Sequence, residues 1–179
     1  MNDASSMLAS FMESFPGLEQ FLNLGVAMVG VILTGQAALK FIEIGKHGEQ
    51  PGGVRWITPV MYLLAGTALF NFASSIDTAL ETIYGNSSSV HNLLSYSPGS
   101  GMPQESQLLM KAIIACLRLY GYFTYARGWM SVRRIGNGQN GSDEVFKAAM
   151  IRLVAGVALI NIVETVNLIS GTFGFGNVL

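Results

Sequence analysis

The chain has 179 residues, half of them hydrophobic and only 12% charged, with a net charge of -1 and a mean hydropathy of +0.43. Soluble domains carry about 25% charged residues, and a soluble fold of this length cannot hide so much apolar surface, so the composition excludes an ordinary soluble domain and points to the bilayer as solvent. A single cysteine, Cys116, excludes an intrachain disulfide; inside its apolar run it reads as a small buried hydrophobe.

Residues 1–20 contain Asp3, Glu13 and Glu19 but neither Lys nor Arg, so the basic start of a secretory signal is missing. This stretch reads as a tail or an interfacial helix with Leu8, Phe11, Met12 and Phe15 on one face, broken at Pro16 and Gly17. The first long apolar segment covers residues 21–44, enough to cross a ~30 Å hydrocarbon core at ~1.5 Å per residue. Gly25, Gly30 and Gly35 recur every five residues and therefore spiral around the helix, which gives no dimerisation stripe.

A glycine-rich turn follows, IGKHGEQPGGVRW, with Lys46, His47 and Arg55 in it and Lys40 just before it. It lacks the residue order and the preceding strand of a phosphate-binding loop, and His47 has no neighbours at metal-ligand spacing. Trp56 begins the second apolar helix at headgroup level; Asn71, within that helix, is expected to bond across a helix pair, and Asp77 and Glu81 mark the far surface. Residues 83–107, rich in Ser, Gly, Asn and Pro, form a polar linker between two halves.

The third long segment, residues 108–129, carries Lys111 and Arg127 near its ends, where both can reach water, and Arg118 near mid-depth. Two readings of Arg118 stand: a tilted helix that lets it reach water, or an arginine facing a pore, lumen or interface. Gln36, Asn71 and Asn161 are expected at compatible depth, but no acid is. The surrounding tyrosines, Tyr120, Tyr122 and Tyr125, read as packing material rather than a base-stacking platform. A second basic glycine-rich turn holds Arg133 and Arg134. Ser142, Asp143 and Glu144 then open the last long helix, residues 145–169, with Arg152 near its start and a short tail at 171–179.

The second and fourth helices share a pattern. Leu63, Ala65, Gly66, Ala68, Leu69 and Asn71 return ninety residues later as Leu153, Ala155, Gly156, Ala158, Leu159 and Asn161. Each copy follows a basic glycine-rich turn, so the halves, residues 21–82 and 108–170, read as one hairpin used twice, with Gly66, Asn71, Gly156 and Asn161 as helix-packing positions. Lys and Arg cluster at the two turns and acids at the other end, which places both turns in the cytoplasm. The expected fold is an all-α membrane protein, with four transmembrane helices as two parallel hairpins. The halves are related about an axis along the membrane normal. No nucleophile sits beside a positioned base and no metal-ligand set is present, so neither an enzyme nor a resident cofactor is expected.

The segments LGVAMVGVILTGQAALKF, PGGVRWITPVMYLLAGTALFN and FKAAMIRLVAGVALINIVETVN resemble the small polytopic proteins of type IVB secretion and IncI-type plasmid conjugation systems, the Dot/Icm and Tra-like group. The hairpin plan also resembles that of type IV secretion pilins, here with two hairpins fused. The resemblance implies an inner-membrane structural subunit that self-associates, contacts other secretion subunits and anionic phospholipid, and forms a pilus or conduit for DNA or protein. Under it, Lys46, Arg55, Arg118, Arg127, Arg133 and Arg134 are candidates for facing a lumen or lipid headgroups. A scaffold that does not polymerise, and a small oligomeric transporter or channel, are the alternative functions.

Overall fold

The structure, a computed structural model, describes residues 2–48, 54–85, 103–136 and 142–176. Its described residues form helices α1 (Asn2–His47), α2 (Ile57–Phe70), α3 (Phe72–Tyr84), α4 (Gln104–Ile135), α5 (Ser142–Ile160) and α6 (Ile162–Thr172). The fold is all-helical. α1 and α4 are each long and apolar enough to cross a bilayer, and up to four spans result if each bent pair, α2 with α3 and α5 with α6, counts as one. The centres of both glycine-rich turns, 49–53 and 137–141, and most of the linker, 86–102, lie outside the described residues, as do 177–179 of the tail.

α1 is the first departure from expectation. Instead of ending at Pro16, it runs 46 residues, about 69 Å at ~1.5 Å per residue. Proline removes a backbone donor, which ordinarily breaks or kinks a helix. Tertiary contacts offset that loss here: Phe15 is fully buried, and Glu19 and Leu22 follow it on the same face at helical spacing. The inner stripe continues through Leu33, Ala37 and Ile44, while Phe21, Leu24, Met28, Ile32 and Leu39 point outward, each more than half exposed. Between Phe21 and Leu39 the outward face of α1 is thus largely apolar, while its inner stripe admits the half-buried Glu19.

α1 packs on α2 and α4 on α5, giving two hairpins, which meet where α1 and α2 lie against α4. Each hairpin is closed by a pair of glycines. A Cβ on Gly30 would lie 2.7 Å from the Gly66 carbonyl oxygen and also strike the Phe70 backbone nitrogen; one on Gly66 would lie 2.8 Å from the Thr34 nitrogen. In the second hairpin a Cβ on Gly121 would lie 2.9 Å from the Gly156 oxygen and 2.8 Å from the Ile160 nitrogen, and one on Gly156 2.7 Å from the Tyr125 nitrogen. The two notches correspond in plan: each glycine faces the other's carbonyl or the backbone nitrogen four residues beyond it. The relation extends the repeat to the first arms, where Gly30 matches Gly121, Ile44 matches Ile135 and Gly45 matches Gly136.

The second arms are not straight. At Asn71 (φ -99°, ψ 52°) and Asn161 (φ -112°, ψ 58°) the chain turns by 95° and 97°. Asn71 N–H donates to the Thr67 oxygen at 3.0 Å and its carbonyl accepts from Ser75 N–H at 2.8 Å; Asn161 does the same with Val157 and Thr165 at 3.1 and 3.0 Å. Each asparagine therefore closes one helix and opens the next. Beyond the bend α3 is amphipathic, burying Phe72, Ile76 and Leu80 while exposing Ser74, Thr78, Glu81 and Thr82. Asn71 itself is exposed, so the expected bond across a helix pair gives way to a role in the bend.

The notch makes a clean prediction. Gly30→Leu and Gly121→Leu drive a side chain into facing backbone, which has no rotamer to yield, and each should destabilise by about 1–3 kcal/mol or more. Gly25→Leu, with nothing within 4 Å of its added Cβ, should leave stability unchanged. Denaturant unfolding in mild detergent measures the difference; equal midpoints for Gly30→Leu and Gly25→Leu would refute the notch.

Candidate functional site

Two polar regions are built on this frame, one at the turn end of the hairpins and one near the bends. At the turn end, Thr58 Oγ1 donates to the Gly136 carbonyl oxygen, and a Cβ on Gly136 would lie 2.7 Å from Thr58 Cα. This contact fastens the start of α2 to the end of α4 and thereby brings described flanks of the two basic turns together. Lys46, Arg55, Arg127 and Arg134 are exposed there and Arg133 is half-buried. Lys40 lies over the Tyr62 ring, 5.1 Å from its centroid, and Phe41 meets Trp56 edge to face at 6.1 Å. Arg152 Nη1 donates to Ser131 Oγ at 2.6 Å. Beside that bond, Ser131, Arg134, Glu144, Val145, Ala148 and Arg152 line an open cavity of about 210 Å³ between α4 and α5.

Arg118 does not belong to this group. It lies sixteen residues before Arg134, ~24 Å along α4. It is 1% exposed, and Glu19 of α1 meets it, with Arg118 Nε 3.2 Å from Glu19 Oε1. Arg118 Nε also donates to Tyr122 Oη at 3.0 Å, and Tyr122 donates in turn to Glu19 Oε1 at 3.1 Å. The three groups close a triangle under the Tyr122 ring, whose centroid is 5.7 Å from Arg118 Cζ. The expectation that no acid lies level with Arg118 is thus overturned. Its cause is the continuation of α1 through Pro16, which carries Glu19 alongside α4.

Hydroxyls tie the bent segments to the hairpins near the same end. Tyr125 donates to the Ser75 carbonyl oxygen at 3.0 Å and lies 2.7 Å from Ser75 Oγ, which is left to donate back. Tyr84 Oη lies 2.6 Å from Thr165 Oγ1, whose own proton is directed to the Asn161 and Ala158 carbonyls at 2.7 and 2.9 Å. Phe72 packs against Tyr122 and Tyr125 at 6.2 and 5.8 Å, so these two tyrosines are core, while Tyr120 and Phe123 face outward. Asn161 is 3% exposed and its Nδ2 finds no hydrogen-bond partner among the described residues. Cys116, expected inside, is exposed on the outer face of α4.

The structure therefore gathers the turn cations, separates Arg118 from them, and assigns Gly66 and Gly156 to the hairpin notches and Asn71 and Asn161 to the bends. Glu19, Tyr122, Thr58, Gly136, Gly30 and Gly121 are the partners that sequence spacing left unseen. Among the described residues no group of three or more His, Cys, Asp or Glu is placed to hold a metal ion.

The triangle generates a coupling prediction. Glu19→Leu removes the carboxylate facing a buried guanidinium and should destabilise by about 2–4 kcal/mol, and Arg118→Leu comparably, while the double replacement should recover most of either loss. A double-mutant cycle by denaturant unfolding measures this; strictly additive losses would show that the pair is not coupled. Comparison with protein-family descriptions, with curated proteins and with solved structures returned no match, so the roles of these groups rest on their chemistry and geometry.

Proposed function

We propose that the chain is a structural membrane subunit of a conjugative type IV secretion apparatus, of the type IVB and IncI-type class, that polymerises into a pilus or conduit for DNA or protein. One observation carries the reading: the same glycine-notched, asparagine-bent hairpin occurs twice in a chain whose outer surface is largely apolar. Repeated units with apolar flanks are the economical material of an assembly. In this reading the protein is stored in the bacterial inner membrane with both basic turns in the cytoplasm.

The cations at the turn end, Lys46, Arg55, Arg127, Arg133 and Arg134, then meet anionic headgroups, at ~1 kcal/mol per charge near such a surface, or a lumen after assembly. The bends suit α3 and α6 to lie along the opposite interface. Arg118 is held inside the chain by Glu19 and Tyr122, which deprives a single-chain transporter of its central polar residue. A scaffold that stays in the membrane is the second reading, favoured by one feature: α6 and its tail expose Leu168, Ile169, Phe173 and Phe175, a surface suited to remain in an interface.

Pili sheared from cells carrying a tagged full-length chain separate the two readings. The pilus subunit should appear in purified pili as well as in carbonate-washed membranes, and its deletion should abolish transfer. Retention in a membrane complex with none in the pili would leave the scaffold; transfer at normal frequency after deletion would remove both.

A further inference from the structure

The contact between the two hairpins is itself asymmetric. The first hairpin presents the outer side of α2 and α3, through Thr58, Phe72 and Ser75; the second receives it on α4, through Gly136, Tyr122 and Tyr125. Because the hairpins are copies, the second owns a counterpart of the presenting side, and the first owns a counterpart of the receiving side. Ninety residues after Thr58 and Phe72 stand Ala148 and Ile162, on α5 and α6; ninety-one before Gly136 and Tyr122 stand Gly45 and Val31, on α1.

Apart from Thr165, the counterpart of Ser75, which lies 2.6 Å from Tyr84 Oη, neither counterpart makes the matching contact within the chain. Gly136 is pressed against Thr58, whereas a Cβ on Gly45 would meet nothing within 4 Å. Tyr122 is buried, whereas Val31 is 55% exposed, with Met28 beside it at 63%. On the other flank Ala148 lines the open cavity of about 210 Å³, at the position where Thr58 is covered by Gly136 in the first hairpin. The charges also match. Glu144, Arg134 and Arg152 border that cavity, Glu43 and Lys46 stand exposed on either side of Gly45, and none of the five is ion-paired among the described residues.

We infer that a second copy of this chain docks head to tail, with α5 and α6 of one copy against α1 of the next, repeating between copies the contact that α2 and α3 make with α4 inside each. The end of α1 around Gly45 enters the cavity at Ala148, with Lys46 toward Glu144 and Glu43 toward Arg134 and Arg152. Such a contact uses a different surface on each partner, so it does not saturate at a dimer; it propagates into a ring or a filament according to the rotation per step. It deepens the structural-subunit reading and rests on it.

Disulfide trapping in the full-length chain tests the contact in native membranes. In a Cys116→Ser background, Gly45→Cys combined with Ala148→Cys brings a cysteine to each side, and Val31→Cys with Ile162→Cys supplies an independent pair should the first not fold. Mild oxidation should convert either doubly substituted chain into a ladder of dimer, trimer and higher species, because each copy carries both halves of the bond, while each single substitution should give no ladder. Gly45→Leu should abolish the oligomers that an amine-reactive reagent traps in the wild type, without lowering the unfolding midpoint. Dimers alone, arising from a single substitution, would overturn the head-to-tail contact in favour of a two-fold one. Amine-trapped oligomers without a ladder from either pair would overturn this contact and leave the structural-subunit reading standing. A wild type that stays monomeric with the amine-reactive reagent in native membranes would overturn both.

Discussion

The register of each hairpin is set where the backbone of one arm touches the backbone of the other. Between apolar helices in a bilayer there is no hydrophobic drive to associate, so close packing and the contacts it permits must supply the attraction. Gly30 against Gly66, and Gly121 against Gly156, remove the side chains that would hold the arms apart. Once a notch is closed, the position of every residue on one arm is set relative to the other. Asn71 follows Gly66 by five residues and Asn161 follows Gly156 by five, so both second arms turn away from their hairpins at the same distance past the notch. α3 and α6 consequently leave at matching levels, near enough for Tyr84 and Thr165 to bond.

The charges divide along the same axis. One end of the molecule holds the turn cations, fastened into a single region by Thr58 and Gly136. Toward the bends, the one cation buried among the described residues is neutralised internally, since Arg118 has Glu19 and Tyr122 around its Nε. This second arrangement also explains the length of α1. A proline-containing segment with acids and serines has little reason to stay helical by propensity alone, but burying Phe15 and pairing Glu19 gives its helical form tertiary contacts that an unattached tail would lack.

The hairpin plan was legible because apolar run length, basic glycine turns and the repeated LxAGxAL-type pattern are local signals, and they survive into α1–α2 and α4–α5. The notch was half legible. Gly66 and Gly156 stood out in the repeat, but their partners sit in helices whose sequences share little besides Gly30 with Gly121 and Ile44-Gly45 with Ile135-Gly136. Judged as a stripe, Gly25, Gly30 and Gly35 looked unproductive; only Gly30 faces a partner, and a single glycine carries no period. The bends were missed for a different reason. Hydropathy averaged over a span hides a change from uniform to amphipathic pattern, yet Ser74, Ser75, Asp77 and Thr78 after Asn71, and Glu164, Thr165 and Asn167 after Asn161, mark that change in both copies. Glu19 precedes the apolar run 21–44 in sequence, and only the continuation of α1 through Pro16, with Phe15 buried, keeps it in the helix that faces Arg118.

The differences between the copies are as telling as their likeness. Where α4 has Arg118, Tyr122 and Tyr125, the matching positions of α1 are Ala27, Val31 and Thr34. α4 is central, touched by α1, α2 and α5, and its buried Arg118 and Tyr125 are met by fixed partners, Glu19 and Ser75. Such groups are costly wherever the partner is lost. α1, on the flank, carries side chains that tolerate both hydrocarbon and protein, since Ala, Val and an i-4 bonded Thr34 leave no polar group in need of a neighbour. The same duplicated surface is thus committed on α4 and left interchangeable on α1. Only the α1 face, with no polar side chain that needs a fixed partner, can change what covers it without leaving a buried group unpaired.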